Sequence, residues 1–294
     1  MVQTSDLKVE KLFSVKDYVC VITGGGSGIG LMAAQALAAN GAKVYIIGRR
    51  EEALKKAAES HSPTDSGNGQ IIPLTPCDVT SKDDLEKCVK AFSEKEDHLD
   101  LLLTAAGITS TKAAPDTEDA GDLKAKLWDN ETFEDWRNTY NTDVAAVYFS
   151  TVAFLPLLQA ATKKRGHLHA SVIVISSMSG IMRDSQGHFS YNAAKGGTVH
   201  LTKLMSAEFQ KIRVRVNSIA PGYFPSEMTT SESGGDQKSE LPAEKIQEKG
   251  HVPAQRAGSD EEMAQAVLFL TKNLYVNGEI LAVDGGVLNV VGGR

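Results

Sequence analysis

The sequence predicts an α/β fold of the doubly wound kind: a mostly parallel sheet with helices on both faces, in a single domain over residues 1–294. Three observations carry that prediction. Short all-apolar runs alternate with helical stretches, a glycine-rich loop joins the first run to the first helix, and no repeat or linker divides the chain. Val19-Cys20-Val21-Ile22, Val44-Tyr45-Ile46-Ile47, Leu101-Leu102-Leu103 and Val172-Ile173-Val174-Ile175 are continuously apolar rather than alternating. That is the pattern of strands buried on both faces. Between them, residues 29–40, 51–60, 82–94, 133–161 and 191–211 carry helix formers with recurring apolar positions. Asn40-Gly41 supplies the left-handed stop of the first helix.

Two polar segments interrupt this rhythm. Residues 109–130 read as an insert loop after the fourth strand, and residues 223–258, with Ser231-Glu232-Ser233-Gly234-Gly235-Asp236, read as a substrate lid. Residues 1–14 form an N-terminal extension whose interleaved charges lack the apolar centre of a signal peptide. No continuous apolar run approaches the roughly 20 residues that span a bilayer. With 31 basic against 37 acidic residues the net charge is −6, and the one basic run, Lys163-Lys164-Arg165, is short, so nucleic acid is not an expected partner. Three scattered cysteines fit neither a disulfide framework nor a zinc site and point to a reducing compartment. A cytoplasmic protein with no membrane partner is expected. Trp128 and Trp136 are expected as packing residues.

Thr23-Gly24-Gly25-Gly26-Ser27-Gly28-Ile29-Gly30 follows a strand and opens a helix. In that context glycines let the backbone turn tightly against a pyrophosphate, and the helix N-terminus offers N–H donors and a partial positive charge. Gly24, Ser27, Gly28, Ile29 and Gly30 are therefore candidate cofactor contacts. The end of the second strand, where an acid would hold an NAD ribose, reads Gly48-Arg49-Arg50. Two guanidiniums suit a 2′-phosphate, so Arg49 and Arg50 favour NADP(H) over NAD(H).

Tyr191-Asn192-Ala193-Ala194-Lys195 places a phenol and an ammonium four residues apart, on one helix face. A phenol of pKa about 10 is a poor acid–base catalyst near neutrality, and an adjacent cation favours its ionised form. Ser176 and Ser177 follow a buried strand, at the carboxyl edge where such folds bind ligands. With Asp78-Val79 after the third strand, Pro221-Gly222, and Val283-Asp284-Gly285-Gly286 at the last, these motifs stand in order along about residues 15–290. In them the sequence resembles the short-chain dehydrogenase/reductase family.

That resemblance implies a seven-stranded Rossmann fold and an oxidoreductase passing hydride between a nicotinamide and a carbonyl carbon. It implies Tyr191 as general acid or base, Lys195 lowering its pKa and binding the nicotinamide ribose, and Ser177 on the substrate oxygen, with Ser176 as a lesser candidate. Asn141, in Tyr140-Asn141-Thr142-Asp143, matches the family's helix asparagine that holds a proton-relay water. Asp78 with Val79 is expected at the adenine, Ala106 and Gly107 along the cofactor cleft, and Pro221, Gly222 and Ser226 by the carboxamide. One departure is Thr104-Ala105-Ala106-Gly107, where the family has Asn-Asn-Ala-Gly, so the lost side-chain bonds between strands must be met otherwise. Homodimers or homotetramers through the two long helices are implied, with a small-molecule carbonyl or alcohol as substrate; the long insert and lid point to a bulky one, such as a 3-oxoacyl or secondary-metabolite ketone. His188 could line its pocket. Two rival readings are a non-catalytic NADP(H)-binding sensor or scaffold, which needs none of the Ser, Tyr, Lys and Asn set, and a methyltransferase. A hydrolase lacks its Gly-x-Ser-x-Gly elbow, and no metal-binding motif is present.

Overall fold

The computed structural model describes residues 3–64, 69–113, 116–230 and 233–292. Seven parallel strands form one sheet in the order β3-β2-β1-β4-β5-β6-β7. They are β1 (Val19–Thr23), β2 (Lys43–Gly48), β3 (Gln70–Pro76), β4 (Leu101–Thr104), β5 (Ser171–Ile175), β6 (Arg215–Pro221) and β7 (Ile280–Val283). The helices are α1 (Val9–Leu12), α2 (Gly28–Ala39), α3 (Glu51–His61), α4 (Lys82–Ser93), α5 (Ala120–Trp128), α6 (Phe133–Tyr140), α7 (Ala146–Arg165), α8 (Phe189–Phe209), α9 (Glu227–Thr230), α10 (Ala243–Gln247), α11 (Asp260–Lys272) and α12 (Val287–Val290). Strand order reverses between β1 and β4, which opens a crevice at the carboxyl ends of the strands.

The continuous apolar runs have their expected cause. Alternate residues of each central strand enter different cores: Cys20, Ile22, Val44, Ile46 and Ile173 pack with α2, α3 and α11. Val19, Val21, Tyr45, Ile47, Val172 and Val174 pack with α4, α7 and α8 on the other face. Both faces of these strands are packed, so residues of both parities are apolar through their centres.

The expected helix over 133–161 is three segments, α6, a π turn at Asn141–Ala145, and α7. The run Phe133–Arg165 is long and apolar enough by composition to cross a membrane, although interspersed polar residues keep it from being one continuous apolar run. Its apolarity has a local explanation, since Val147, Phe154, Leu158 and Ala161 face the core. Residues 109–130 are not all loop. Asp119 caps α5 by accepting the Asp122 N–H at 2.8 Å; residues 114–115 of that insert lie outside the described residues. The segment 223–258 carries α9 and α10, with Ser231 and Glu232 outside the description. Trp128 and Trp136 are exposed rather than packed, at 75% and 44%.

One buried charge braces the edge of the sheet opposite the crevice. Arg215 is fully buried, and its guanidinium donates to the carbonyls of Leu168, Leu270, Thr271 and Val276 at 2.9–3.0 Å. It thereby satisfies the last carbonyls of α11. Arg215→Met, which keeps length but no donor, is expected to lower unfolding free energy by about 3 kcal/mol, read by denaturant titration.

Candidate active site

Tyr191 lies in the first turn of α8, and Lys195 follows one turn later on the same face. The Lys195 Nζ is 5.7 Å from the Tyr191 ring centroid. It donates to the Ile175 carbonyl at the end of β5, 3.2 Å away. Two residues beyond Ile175, Ser177 caps a short 3₁₀ turn (Met178–Gly180), its Oγ accepting the Ser179 N–H at 3.0 Å. That bond uses an oxygen lone pair and leaves the hydroxyl proton free to be donated. Gly180 fixes the turn against α8: a Cβ there would meet the Lys195 carbonyl at 2.4 Å, so only glycine permits the approach. Ser176 is committed elsewhere. Its Oγ bonds Ser218 Oγ at 2.7 Å and the Ile219 carbonyl at 3.1 Å, tying β5 to β6.

The glycine-rich turn runs from β1 into α2, with Ser27 as N-cap and no side chain capping the first N–H groups. Gly30 packs so closely that a Cβ would stand 2.3 Å from the Gly24 carbonyl oxygen. The uncapped amides and shallow backbone form the cradle a pyrophosphate needs, so the residues fit a dinucleotide. Arg49 and Arg50 are exposed beyond β2. Arg50 already grips a carboxylate with both terminal nitrogens, Nη2 to Glu227 Oε2 at 2.7 Å and Nη1 to Oε1 at 3.1 Å. Hydrogen bonding from Arg50 holds the Glu227 carboxyl below its usual range, with Ser233 and Ser27 assisting and burial opposing. Asp78 is held low by the hydroxyl and amide of Thr80, with Arg49 adding a smaller pull.

A family model described as Enoyl-(Acyl carrier protein) reductase matches residues 24–288. The short-chain dehydrogenase/reductase PhomF of Diaporthe leptostromiformis is 37% identical over 295 residues, covering 98% of this chain and 97% of the relative. The chain belongs to the short-chain dehydrogenase/reductase family. The 3-oxoacyl-[acyl-carrier-protein] reductase FabG of Chlamydia muridarum is 32% identical over 270 residues, 91% of this chain and 96% of that one. Among solved structures, the Pseudomonas aeruginosa RhlG/NADP active-site complex has a TM-score of 0.73 at 26% identity, over 94% of this chain and 98% of its own. This short-chain dehydrogenase/reductase is an oxidoreductase.

The remaining expected residues of this short-chain dehydrogenase/reductase fall in two groups. Ala106, Gly107, Val79, Pro221 and Gly222 all follow or end strands at the carboxyl edge, and Gly222 donates to the Val283 carbonyl at 2.8 Å. The strand tie lost with the family's asparagines is met by Thr23, whose Oγ1 accepts the N–H groups of Ala105 and Ala106, each at 3.2 Å. Thr104 Oγ1 is buried with no hydrogen-bond partner among the described residues. Ser226 leans on the glycine-rich turn, its Cβ 2.9 Å from where a Gly28 Cβ would stand. His188 approaches the Ser110 carbonyl through Nδ1 at 3.1 Å and so anchors the 109–113 loop beside the cleft.

Asn141 does not join the cluster. It is exposed at the start of the π turn, its carbonyl accepting the Ala146 N–H. The residue brought to Lys195 is Asp143, fully buried, with Oδ1 3.0 Å from Nζ. Burial pushes the Asp143 carboxyl up, and Lys195 and the Ile108 amide pull it only part of the way back. Burial works against charge on Lys195, yet Asp143 and Tyr191 together hold its pKa above the usual lysine value. The helix pattern held the signal: counting the buried face back from Leu158 through Phe154, Thr151 and Val147 arrives at Val144 and Asp143, not Asn141.

Proposed function

We propose that the protein reduces a ketone to a secondary alcohol with NADPH, or runs the reverse, and that Tyr191 transfers the proton. The observation that carries this reading is the Ser177, Tyr191 and Lys195 group beside the crevice where strand order reverses. A nicotinamide cofactor bound there supplies the hydride. Ser177 donates a hydrogen bond to the substrate oxygen and orients it, and Tyr191 delivers its phenolic proton to that oxygen as negative charge develops. The Lys195 ammonium steadies the phenolate left behind and would hold the ribose of a bound cofactor. Two features support the NADP(H) preference: the absence of an acid at the end of β2, and an Arg50 fork already shaped to a bidentate oxyanion.

The segment 223–258 serves as the lid, and with 109–130 and 180–190 it sets specificity. Their length favours a bulky ketone, a 3-oxoacyl thioester or a polyketide-like secondary metabolite, a substrate class that the name of the Chlamydia muridarum reductase also carries. Three free, buried cysteines suit work in the reducing cytoplasm. The test is NADPH consumption by purified protein with a panel of such ketones. Tight NADPH binding without turnover across the panel would favour the sensor reading instead.

Exposed Tyr148, Phe149 and Val152 on α7, with Phe133 and Trp136 on α6, support a homodimer or homotetramer built on the long helices. Phe149→Asp is expected to leave a monomer in size-exclusion light scattering, with an unchanged far-UV spectrum.

A further inference from the structure

We propose that Asp143 is a positioning residue of the active site: a buried counter-ion that sets the proton affinity of Tyr191 through the Lys195 ammonium. The inference rests on the reading of Tyr191 as proton donor. Its foundation is geometric. The ammonium lies between two groups, 3.0 Å from Asp143 Oδ1 and 5.7 Å from the Tyr191 ring centroid. Both Asp143 oxygens are buried, and among the described residues the Lys195 ammonium is the stronger partner and the Ile108 amide the lesser. The carboxylate is therefore held chiefly by charge, and its field falls on the ammonium.

The elements packed around this pair bring little other charge. α8 supplies Lys195 and Tyr191; the turn after β4 supplies Gly107, where a Cβ would stand 2.6 Å from Asp143 Oδ1, and Ile108; β5 supplies Ile175. Tyr140, on the preceding helix, approaches α8 at Gly197, and Glu131 bonds the Ser190 hydroxyl beside Tyr191. Thr198 donates to the Asp143 backbone carbonyl at 2.6 Å, which fixes the π turn against α8. Among the described residues Lys195 is the one cation paired with this carboxylate.

An ammonium beside a phenol favours phenolate, and a carboxylate touching that ammonium cancels part of its field. Asp143 thus holds the buried ammonium in place and offsets part of the field that the ammonium exerts at Tyr191. An asparagine of the same shape would hold position without cancelling the field.

The test compares wild type, Asp143→Asn and Asp143→Ala, each with and without Tyr191→Phe, as the full chain. Tyr191 is titrated by the near-UV phenolate difference between each such pair, and the pH profiles of ketone reduction and alcohol oxidation are recorded. Both Asp143 variants are expected to lower the Tyr191 midpoint by about one to two pH units. Reduction needs the phenol, so its alkaline fall moves to lower pH; oxidation needs the phenolate, so its rise also moves to lower pH. A midpoint that stays or rises in the folded variants overturns the proposal, as does a uniform loss of kcat with an unmoved limb. Wild-type turnover in Tyr191→Phe would instead sink the proton-donor reading, while the phenolate titration still reads the coupling.

Discussion

Tyr191→Phe is expected to lower kcat for ketone reduction by about 10³-fold while changing KM little. The substitution removes one oxygen and keeps the ring against Lys195. Ser177, proposed to donate to the substrate oxygen, is untouched, as are the Asp143–Lys195 pair and the turn that Gly180 seats on α8. Binding therefore survives and the proton does not arrive. The loss should be confined to the chemical step, because the phenolic proton matters only as charge develops on the carbonyl oxygen. Steady-state kinetics on a responsive ketone, with NADPH affinity read by fluorescence, separates the two terms. Equal losses in kcat and cofactor affinity would point to a damaged fold rather than a missing acid.

Replacing Arg49 and Arg50 together by Ala is expected to raise the KM for NADPH about 10²-fold and leave that for NADH within about twofold. Charge-assisted bonds to a phosphate are each worth about 1.5–3 kcal/mol, and only NADPH carries the phosphate they would meet. Arg50 starts from a bidentate grip on Glu227, so it must exchange one oxyanion for another. The pair is largely exposed, with the Arg50 side chain at 61%, which makes the contribution sensitive to ionic strength. Both constants should thus be compared at one salt concentration. Equal effects on the two cofactors would dissolve the phosphate-clamp assignment.

The sheet was legible because its chemistry is local. A strand packed on both faces favours a continuous apolar run, and β1, β2, β4 and β5 each have one through their centre. Tyr191 and Lys195 were legible for the same reason, since one helical turn places them together whatever surrounds them. What stayed hidden depends on distant partners. Ser176 and Ser177 are adjacent and chemically identical, and only Ser218 on β6 shows that Ser176 belongs to the sheet. Arg50 and Glu227 are 177 residues apart, and nothing local joins them. Asn141 matches the family's helix asparagine by residue type alone, and residue type carries no helical phase. The π turn at Asn141–Ala145 presents Asp143 to Lys195 and leaves Asn141 in solvent. The exposed tryptophans show the converse, that a large aromatic near a helix start need not be core.

In the proposed reaction, hydride passes directly between the nicotinamide and a carbonyl carbon beside Tyr191. NADPH deuterated at the transferable position, incubated with a responsive ketone, tests it by mass spectrometry of the alcohol. The expected result is a single deuterium on the carbinol carbon, from one face of the nicotinamide ring. An alcohol free of deuterium, or NADPH oxidised without alcohol, would contradict the account.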